Sequence, residues 1–364
     1  MEQRLWARYA CLWHISCLCI HVHSTRLTKG IFMQPYKGKI TLALALACTG
    51  LLLLGSVANA KADTKVSLYL KWVPQYQFAG YLVAKSKGYY QKQGLDVDII
   101  PGGPNINTVQ EVADGAAEFG IQTPEPIFYA YSHGLKLQML MADFQEPYEE
   151  FMVKKTSNIT SLSDFKNKTI GINLGGLSQL LLPFMLKTAN LTLADVHTVR
   201  KTISLAPFLS GRVPIWNGYV GNEPFEAKDM GVPVREFKMA KCVPNWYGDV
   251  LFSTAKYAAS HGEIVRKFVL ASEKGWEFAV KHPKQTILII RNNNPQKTSK
   301  QLTQEASAAI PLMVSRSTKQ HCFGWISRVR VQDMEENMIK FGGWKVTKVP
   351  DAKDFYTNAF LSCK

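Results

Sequence analysis

The chain is poor in the residues from which most catalytic and metal sites are built. Only five histidines follow residue 60 (His133, His197, His261, His282 and His321), and none has the spacing of a metal-ligand set. There is no G-x-S-x-G turn and no P-loop, which excludes the nucleophile-elbow hydrolases and P-loop nucleotide chemistry. Of seven cysteines, only Cys242, Cys322 and Cys363 follow residue 60, an odd number that allows at most one internal disulfide and no disulfide framework. The lysines are scattered, with no basic block and no interleaved aromatic stripe, so a solvated basic surface is expected and a nucleic-acid partner is not. No repeat or low-complexity stretch occurs.

What is present has globular composition. The 364 residues are 46% hydrophobic, 20% charged and 11% aromatic, enough for about two domains. Ile40 to Leu54 carries no charge, follows Lys37 and Lys39, and leads into Ala58-Asn59-Ala60, the pattern of a secretory signal with cleavage after Ala60. The alternative is an uncleaved anchor, since Ile40 to Ala58 approaches the ~20 residues that span a bilayer, but Gly50, Gly55 and Ser56 interrupt it. Lipid attachment at Cys48 fits less well, because Leu51 to Leu54 continue the apolar run. Met33 opens a natural signal, so residues 1–32 are expected to precede the true start. Cleavage would leave 37 basic and 27 acidic residues, a net charge of +10 instead of +15.

From Val66 onward, strand-like and helix-like segments alternate, which predicts an α/β fold with largely parallel sheets. Strands are expected at Val66 to Trp72, Asp96 to Ile100, Glu118 to Gln122 and Leu137 to Phe144, with helices at Phe78 to Lys92, Thr108 to Asp114 and Pro126 to His133. A second unit opens at Ser161 and runs through Thr169 to Asn173, an apolar helix from Leu177 to Thr188, and Pro214 to Val220. The chain then returns through Asp249 to Thr254 to long helices around Glu263 to Lys281 and Gln301 to Met313. The expected division is an N-terminal extension and signal (1–60), one lobe from 61–153 plus 250–364, and a second from 154–249. Such a topology gives a hinge and a central cleft, and ligands in open α/β sheets sit beyond the carboxyl ends of the strands.

The loops at those ends supply the candidates. Lys71 to Phe78 is unusually aromatic: Trp72, Tyr76 and Phe78 can stack a planar ligand, although Trp72 and Phe78 equally fit a lobe core. Thr123 follows the third strand. Gly175-Gly176 before a helix leaves free N–H groups, which turn chemistry alone would also explain. Asn222-Glu223-Pro224 sets a carboxylate at a helix start, either as a cap or to receive a ligand amine. Tyr247 and Asp249 form a second aromatic-plus-acid pair at the proposed second crossing.

Taken in order, LKWVPQYQFAGY, KGYYQKQGLDV, GYVGNEP and WYGDVLF resemble the family of sulfonate, thiamine-precursor and riboflavin transport receptors that also holds the fungal thiamine-pyrimidine synthases. The resemblance covers nearly the whole chain after the signal. It implies the type II periplasmic-binding-protein fold, two α/β lobes closing at a hinge, in an exported, monomeric, non-catalytic receptor that needs no cofactor or metal. Its partners would be a small heteroaromatic ligand and an ABC permease with its ATPase. Trp72, Glu223, Tyr247 and Asp249 are the contacts it favours. The synthase alternative would require a Schiff-base lysine and a sacrificial histidine where this sequence has Gln122 and Pro126, and a cysteine-rich run where it has Cys242 to Tyr247.

Overall fold

The computed structural model describes residues 62–363, apart from 104–105, 174–176, 203, 244 and 342–350. The signal, the start at Met33, the cleavage point and Gly175-Gly176 therefore lie outside the described residues.

Among the described residues, ten strands form two sheets of five. The first has the order β2-β1-β3-β10-β4, from β1 (Thr64–Tyr69), β2 (Leu95–Ile100), β3 (Phe119–Gln122), β4 (Leu137–Ala142) and β10 (Val250–Thr254). The second has the order β7-β6-β8-β5-β9, from β5 (Glu149–Lys154), β6 (Thr169–Ile172), β7 (His197–Arg200), β8 (Ile215–Tyr219) and β9 (Val234–Lys238). In the first sheet β1 pairs in parallel with β2 and β3, and in the second β6 pairs in parallel with β7 and β8. Each sheet takes one antiparallel strand at the same place: β10 between β3 and β4, and β5 between β8 and β9. The two sheets thus repeat one topology, in the two-lobed type II arrangement.

The helices that frame the site are α1 (Ala79–Ser86), α2 (Thr108–Ala113), α3 (Pro124–Ser132), α4 (Leu177–Lys187), α5 (Glu223–Asp229), α6 (Gly262–Lys281), α7 (Pro283–Asn293), α8 (Ser299–Met313) and α9 (Arg328–Phe341). The helix expected from Phe78 to Lys92 stops at Ser86, because Gly88 turns left-handed (φ 67°), and a separate 3-10 turn follows at Gln91–Gln93. The expected boundary at 153/154 falls inside β5, whose residues hydrogen-bond in the second sheet from Glu149 onward. Thus the chain leaves the first sheet after Ala142.

Two buried clusters hold the fold. One packs α1, α6 and α8 on the first sheet, with Tyr81, Phe119, Phe268 and Trp276 at its centre. Tight helix packing is possible there because Gly80 and Gly275 carry no side chain; a Cβ on Gly80 would sit 2.2 Å from the Trp276 ring. The other cluster runs from Phe128 of α3 and Met139 of β4 to Phe151 of β5, Ile170 of β6 and Leu181 of α4. It places the crossings inside continuous apolar packing. A disulfide joins Cys322 to Cys363, and Cys242 is free.

The two crossings lie side by side. Phe144 N–H donates to Asp249 O at 3.0 Å and Gly248 N–H returns to Phe144 O at 3.0 Å. A Cβ on Gly248 would lie 2.6 Å from Glu146 O, so this approach requires glycine. Arg330 of α9 ties both segments, donating to Trp246 O at 2.9 Å, to Gln145 Oε1 at 3.1 Å and to Gln145 O.

Candidate ligand-binding site

The carboxyl ends of the parallel strands in the two sheets face one another. Lys71, two residues past β1, brings its ammonium to 5.6 Å from the centre of the Tyr219 ring at the end of β8. The same Nζ lies 2.5 Å from Asp249 Oδ1, with the lysine side chain 11% exposed and the aspartate 1%. Gln77 Nε2 donates to the other Asp249 oxygen at 2.6 Å, and Gln75 Nε2 donates to Gln77 Oε1 at 2.7 Å. Asp249 is therefore fully occupied. It fixes the Lys71 head, and a buried pair of this kind persists only because both charges are so compensated.

At the end of β3 the chain enters α3 through Thr123 in extended conformation, followed by Pro124, Glu125 and Pro126. The two prolines carry no N–H, so the helix start offers fewer backbone donors than usual. Glu125 is fully buried, accepts from the Thr123 hydroxyl through Oε1, and has no partner for Oε2. Burial pushes its carboxyl up to about 8; nearby Glu149 adds to this, and the Thr123 hydroxyl and Lys71 work against it.

The second sheet contributes the opposite wall. Glu149, the first residue of β5, is buried and accepts from Asn217 Nδ2 of β8 at 3.1 Å. Burial raises its carboxyl too, while Lys71 and Lys201 pull it back. Both lysines thus lie within electrostatic reach of Glu149, although one follows β1 and the other follows β7. At the end of β8 the chain enters α5 through Asn222, Glu223 and Pro224. Glu223 Oε2 accepts from Tyr219 N–H at 2.8 Å, and Oε1 pairs with Lys201 Nζ at 2.9 Å. Lys201 also donates to Asn217 O at 2.8 Å. Asn222 occupies the cap position without a side-chain cap bond.

The structure gathers Thr123, Asn222, Glu223 and Asp249 around these strand ends, with half-buried Trp72 packed at the edge of the first core. Tyr76, Phe78 and Tyr247 are taken up differently. Tyr76 and Phe78 are fully buried in the first cluster, and the Tyr76 hydroxyl donates to Ala279 O at 2.8 Å. Tyr247 is enclosed beside the crossings, where its hydroxyl accepts from Ser327 N–H at 2.7 Å and the Arg330 guanidinium lies 3.8 Å from its ring centre. These aromatic rings hold loops and crossings in place. Gln122, at the position where a synthase would carry lysine, accepts from Thr123 N–H at 3.0 Å and donates to Thr108 Oγ1 at 3.3 Å.

Sequence reasoning passed over Lys71, Glu125, Glu149, Lys201, Asn217 and Tyr219. One signal was available: Glu125 lies between two prolines directly after a strand, a placement that hides a carboxylate at a helix start. Glu149 gave none, since Glu149-Glu150 reads as exposed charge. Among the described residues, no group of three or more His, Cys, Asp or Glu is placed to hold a metal ion, and no helix is long and apolar enough to cross a membrane.

The fold resembles that of known receptors. The periplasmic aliphatic sulphonate binding protein SsuA from Escherichia coli superposes with a TM-score of 0.64, covering 80% of this chain and 91% of that one at 16% identity, a level at which the likeness concerns the fold alone. Among curated proteins, the riboflavin-binding protein of Chloroflexus aurantiacus is 26% identical over 310 residues, 82% of this chain and 86% of that protein. The formylaminopyrimidine-binding protein of Halalkalibacterium halodurans is 25% identical over 261 residues, 71% of this chain and 79% of the relative. A 4-amino-5-hydroxymethyl-2-methylpyrimidine phosphate synthase of Saccharomyces cerevisiae matches at 22% over 317 residues. The model of the family described as NMT1/THI5 like matches residues 75–286, more than half of the chain. With that match and the shared two-lobed fold, this chain belongs to the NMT1/THI5-like family.

Proposed function

We propose that the protein is the exported solute-binding receptor of an ABC importer, and that it captures a small planar nitrogen heterocycle between its two lobes. Family membership and the binding-protein relatives support the receptor role; the chemistry of the strand ends supports the ligand class. The observation that carries it is the pair of helix starts facing the cleft: Glu125 between Pro124 and Pro126, and Glu223 before Pro224. Sulfonate, nitrate or phosphate would need free N–H groups and uncommitted cations there. These starts present carboxyl oxygens instead, and the cations Lys71 and Lys201 are already paired with Asp249 and Glu223. Carboxylates accept from exocyclic amines and ring N–H groups. A carboxyl that keeps its proton, as Glu125 does, can also donate to a ring nitrogen or carbonyl.

In this reading Trp72 and Tyr219 flank the ring, Glu125, Glu149, Asn217 and Glu223 address its edge, and Thr123, Lys71 and Asp249 hold those groups in place. Closure turns on the paired crossings, with the first lobe built on β1–β4 and β10 and the second on β5–β9. The partners are a permease and its ATPase, and the receptor acts as a monomer. A synthase would need an uncommitted amine in the cleft; Gln122 supplies none, and Lys71 and Lys201 both donate into carboxylates.

Calorimetry on the purified chain against riboflavin, thiamine, its pyrimidine precursors and an aliphatic sulfonate tests this. One of the heterocycles is expected to bind at a single site with a Kd of about 1 μM or tighter, as burial of most of a small ligand allows. Binding of the sulfonate alone would overturn the assignment.

A further inference from the structure

The β8–α5 turn of the second sheet reaches into the first. Val220 is 5% exposed and belongs to the buried cluster built on α1, α6 and α8, although its own strand is in the other sheet. Next to it, Gly221 is pressed between Tyr148, whose carbonyl just before β5 accepts from Val220 N–H, and α8: a Cβ there would sit 2.0 Å from Tyr148 Oη and 3.1 Å from Glu305 Cα. Glu305 is itself fixed, accepting from Tyr76 N–H at 2.9 Å and pairing with Lys297 Nζ at 2.6 Å. Farther along the same helix, Lys300 Nζ meets Asp229 Oδ1 at the end of α5 at 2.7 Å. Burial and Glu223 raise the Glu226 carboxyl of α5, and Lys297 across the boundary works against them.

α8 therefore touches the boundary at three heights. Near its carboxyl end Leu312 O accepts from Gln145 and Glu146 N–H at 2.8 and 3.2 Å, at the crossing itself. Its middle meets Gly221, and its first turn meets Asp229. Lys300 lies about 18 Å along the helix from Leu312, so a rotation of about 20° at the crossing parts the Lys300–Asp229 ions by roughly 6 Å while moving the Leu312 contact little.

We infer that α8 and the Val220–Gly221 turn form a latch that sets the balance between open and closed lobes, with Val220 as an apolar plug, Gly221 as the close approach that any side chain would block, and Lys300–Asp229 as the outermost clasp. Closure in this sense follows from the fold. Only its consequence for capture and release rests on the receptor reading.

The test measures lobe separation without ligand, so its result does not depend on which ligand the cleft takes. Probes on genetically encoded keto amino acids replace the exposed Leu193 of the second lobe and Leu288 of the first, and their distance distribution is read by pulsed spin resonance. Gly221→Ala is expected to shift the distribution several ångströms outward, while Gly103→Ala, where a Cβ would meet nothing within 4 Å, leaves it unchanged. Lys300→Glu is expected to lower the closed fraction about two- to fivefold, within the range of exposed ion pairs, with Asp229→Lys added to it restoring the wild-type value. A wild-type distribution in Gly221→Ala, or failure of the charge swap to restore closure, overturns the latch. Should Gly221→Ala not fold, the charge swap decides alone. Loss of ligand binding with an unchanged lobe distance would count against the latch and leave the receptor reading standing.

Discussion

β3 and β8 occupy the same place in their sheets, each parallel to one strand and antiparallel-adjacent to the strand delivered by a crossing, and each runs into a helix that opens on a glutamate beside proline. Their carboxyls nevertheless behave differently. Glu125 is sealed from water, has no cation in contact, and keeps its proton up to about pH 8. Glu223 is 16% exposed and shares Lys201 and the Tyr219 amide. The same local pattern, strand then acid and proline, thus yields a neutral donor on one wall and an ion-paired acceptor on the other. The cation makes the difference: Lys201 after β7 contacts Glu223, whereas Lys71 after β1 is taken up by Asp249.

Removing that neighbour should have the largest effect. Lys201→Met leaves Glu223 without its cation in a largely enclosed place and should cost about 3 kcal/mol of stability at neutral pH, read from denaturant midpoints. An unchanged midpoint would mean that the pair is not coupled to folding.

The intermediate effect is the pH dependence of Glu125. Its folded pKa lies above that of the unfolded chain, so between the ordinary carboxyl range and about pH 8 the fold holds a proton that the unfolded chain has released. Its contribution is therefore complete at low pH and is lost as the pH rises towards 8. Glu273 and Glu335, each raised by burial to about 7, act in the same direction. Glu125→Gln should flatten this slope, gaining about 2 kcal/mol relative to wild type between about pH 5 and about pH 6.5. Parallel curves for variant and wild type would show that Glu125 is ionised in the fold.

The smallest effect concerns the cap. An Asn cap replaced by Ala usually costs about 1 kcal/mol, but Asn222 makes no side-chain cap bond, and the Phe225 and Glu226 N–H groups donate to its backbone carbonyl instead. Asn222→Ala should therefore cost only about 0.3 kcal/mol, seen as a barely shifted melting temperature. A full capping loss would mean that Asn222 and Glu223 exchange roles in solution.

Much of the fold could be read in advance. The alternation of strands and helices and the return of the chain near Val250 follow from periodicity and glycine placement, which are local properties. β5 could not be read in this way. Glu149-Glu150 looks like surface, yet Glu149 is enclosed by Asn217, Lys71 and Lys201, which lie 68, 78 and 52 residues away in sequence. Aromatic content also misled: Tyr76, Phe78 and Tyr247 carry the same sequence signal as a stacking residue, and only packing assigns them to core and crossing.

The sequence by itself determined the order of elements, the family resemblance and the acid-and-proline entry into α3 and α5, since each rests on neighbours within a few residues. Tertiary structure alone decided which carboxyl would be neutral and which paired, that Cys322 would meet Cys363, and that Gly221 would lie against α8. Electrostatics and steric fit depend on distance in space, and the chain brings those partners together only after both sheets have formed.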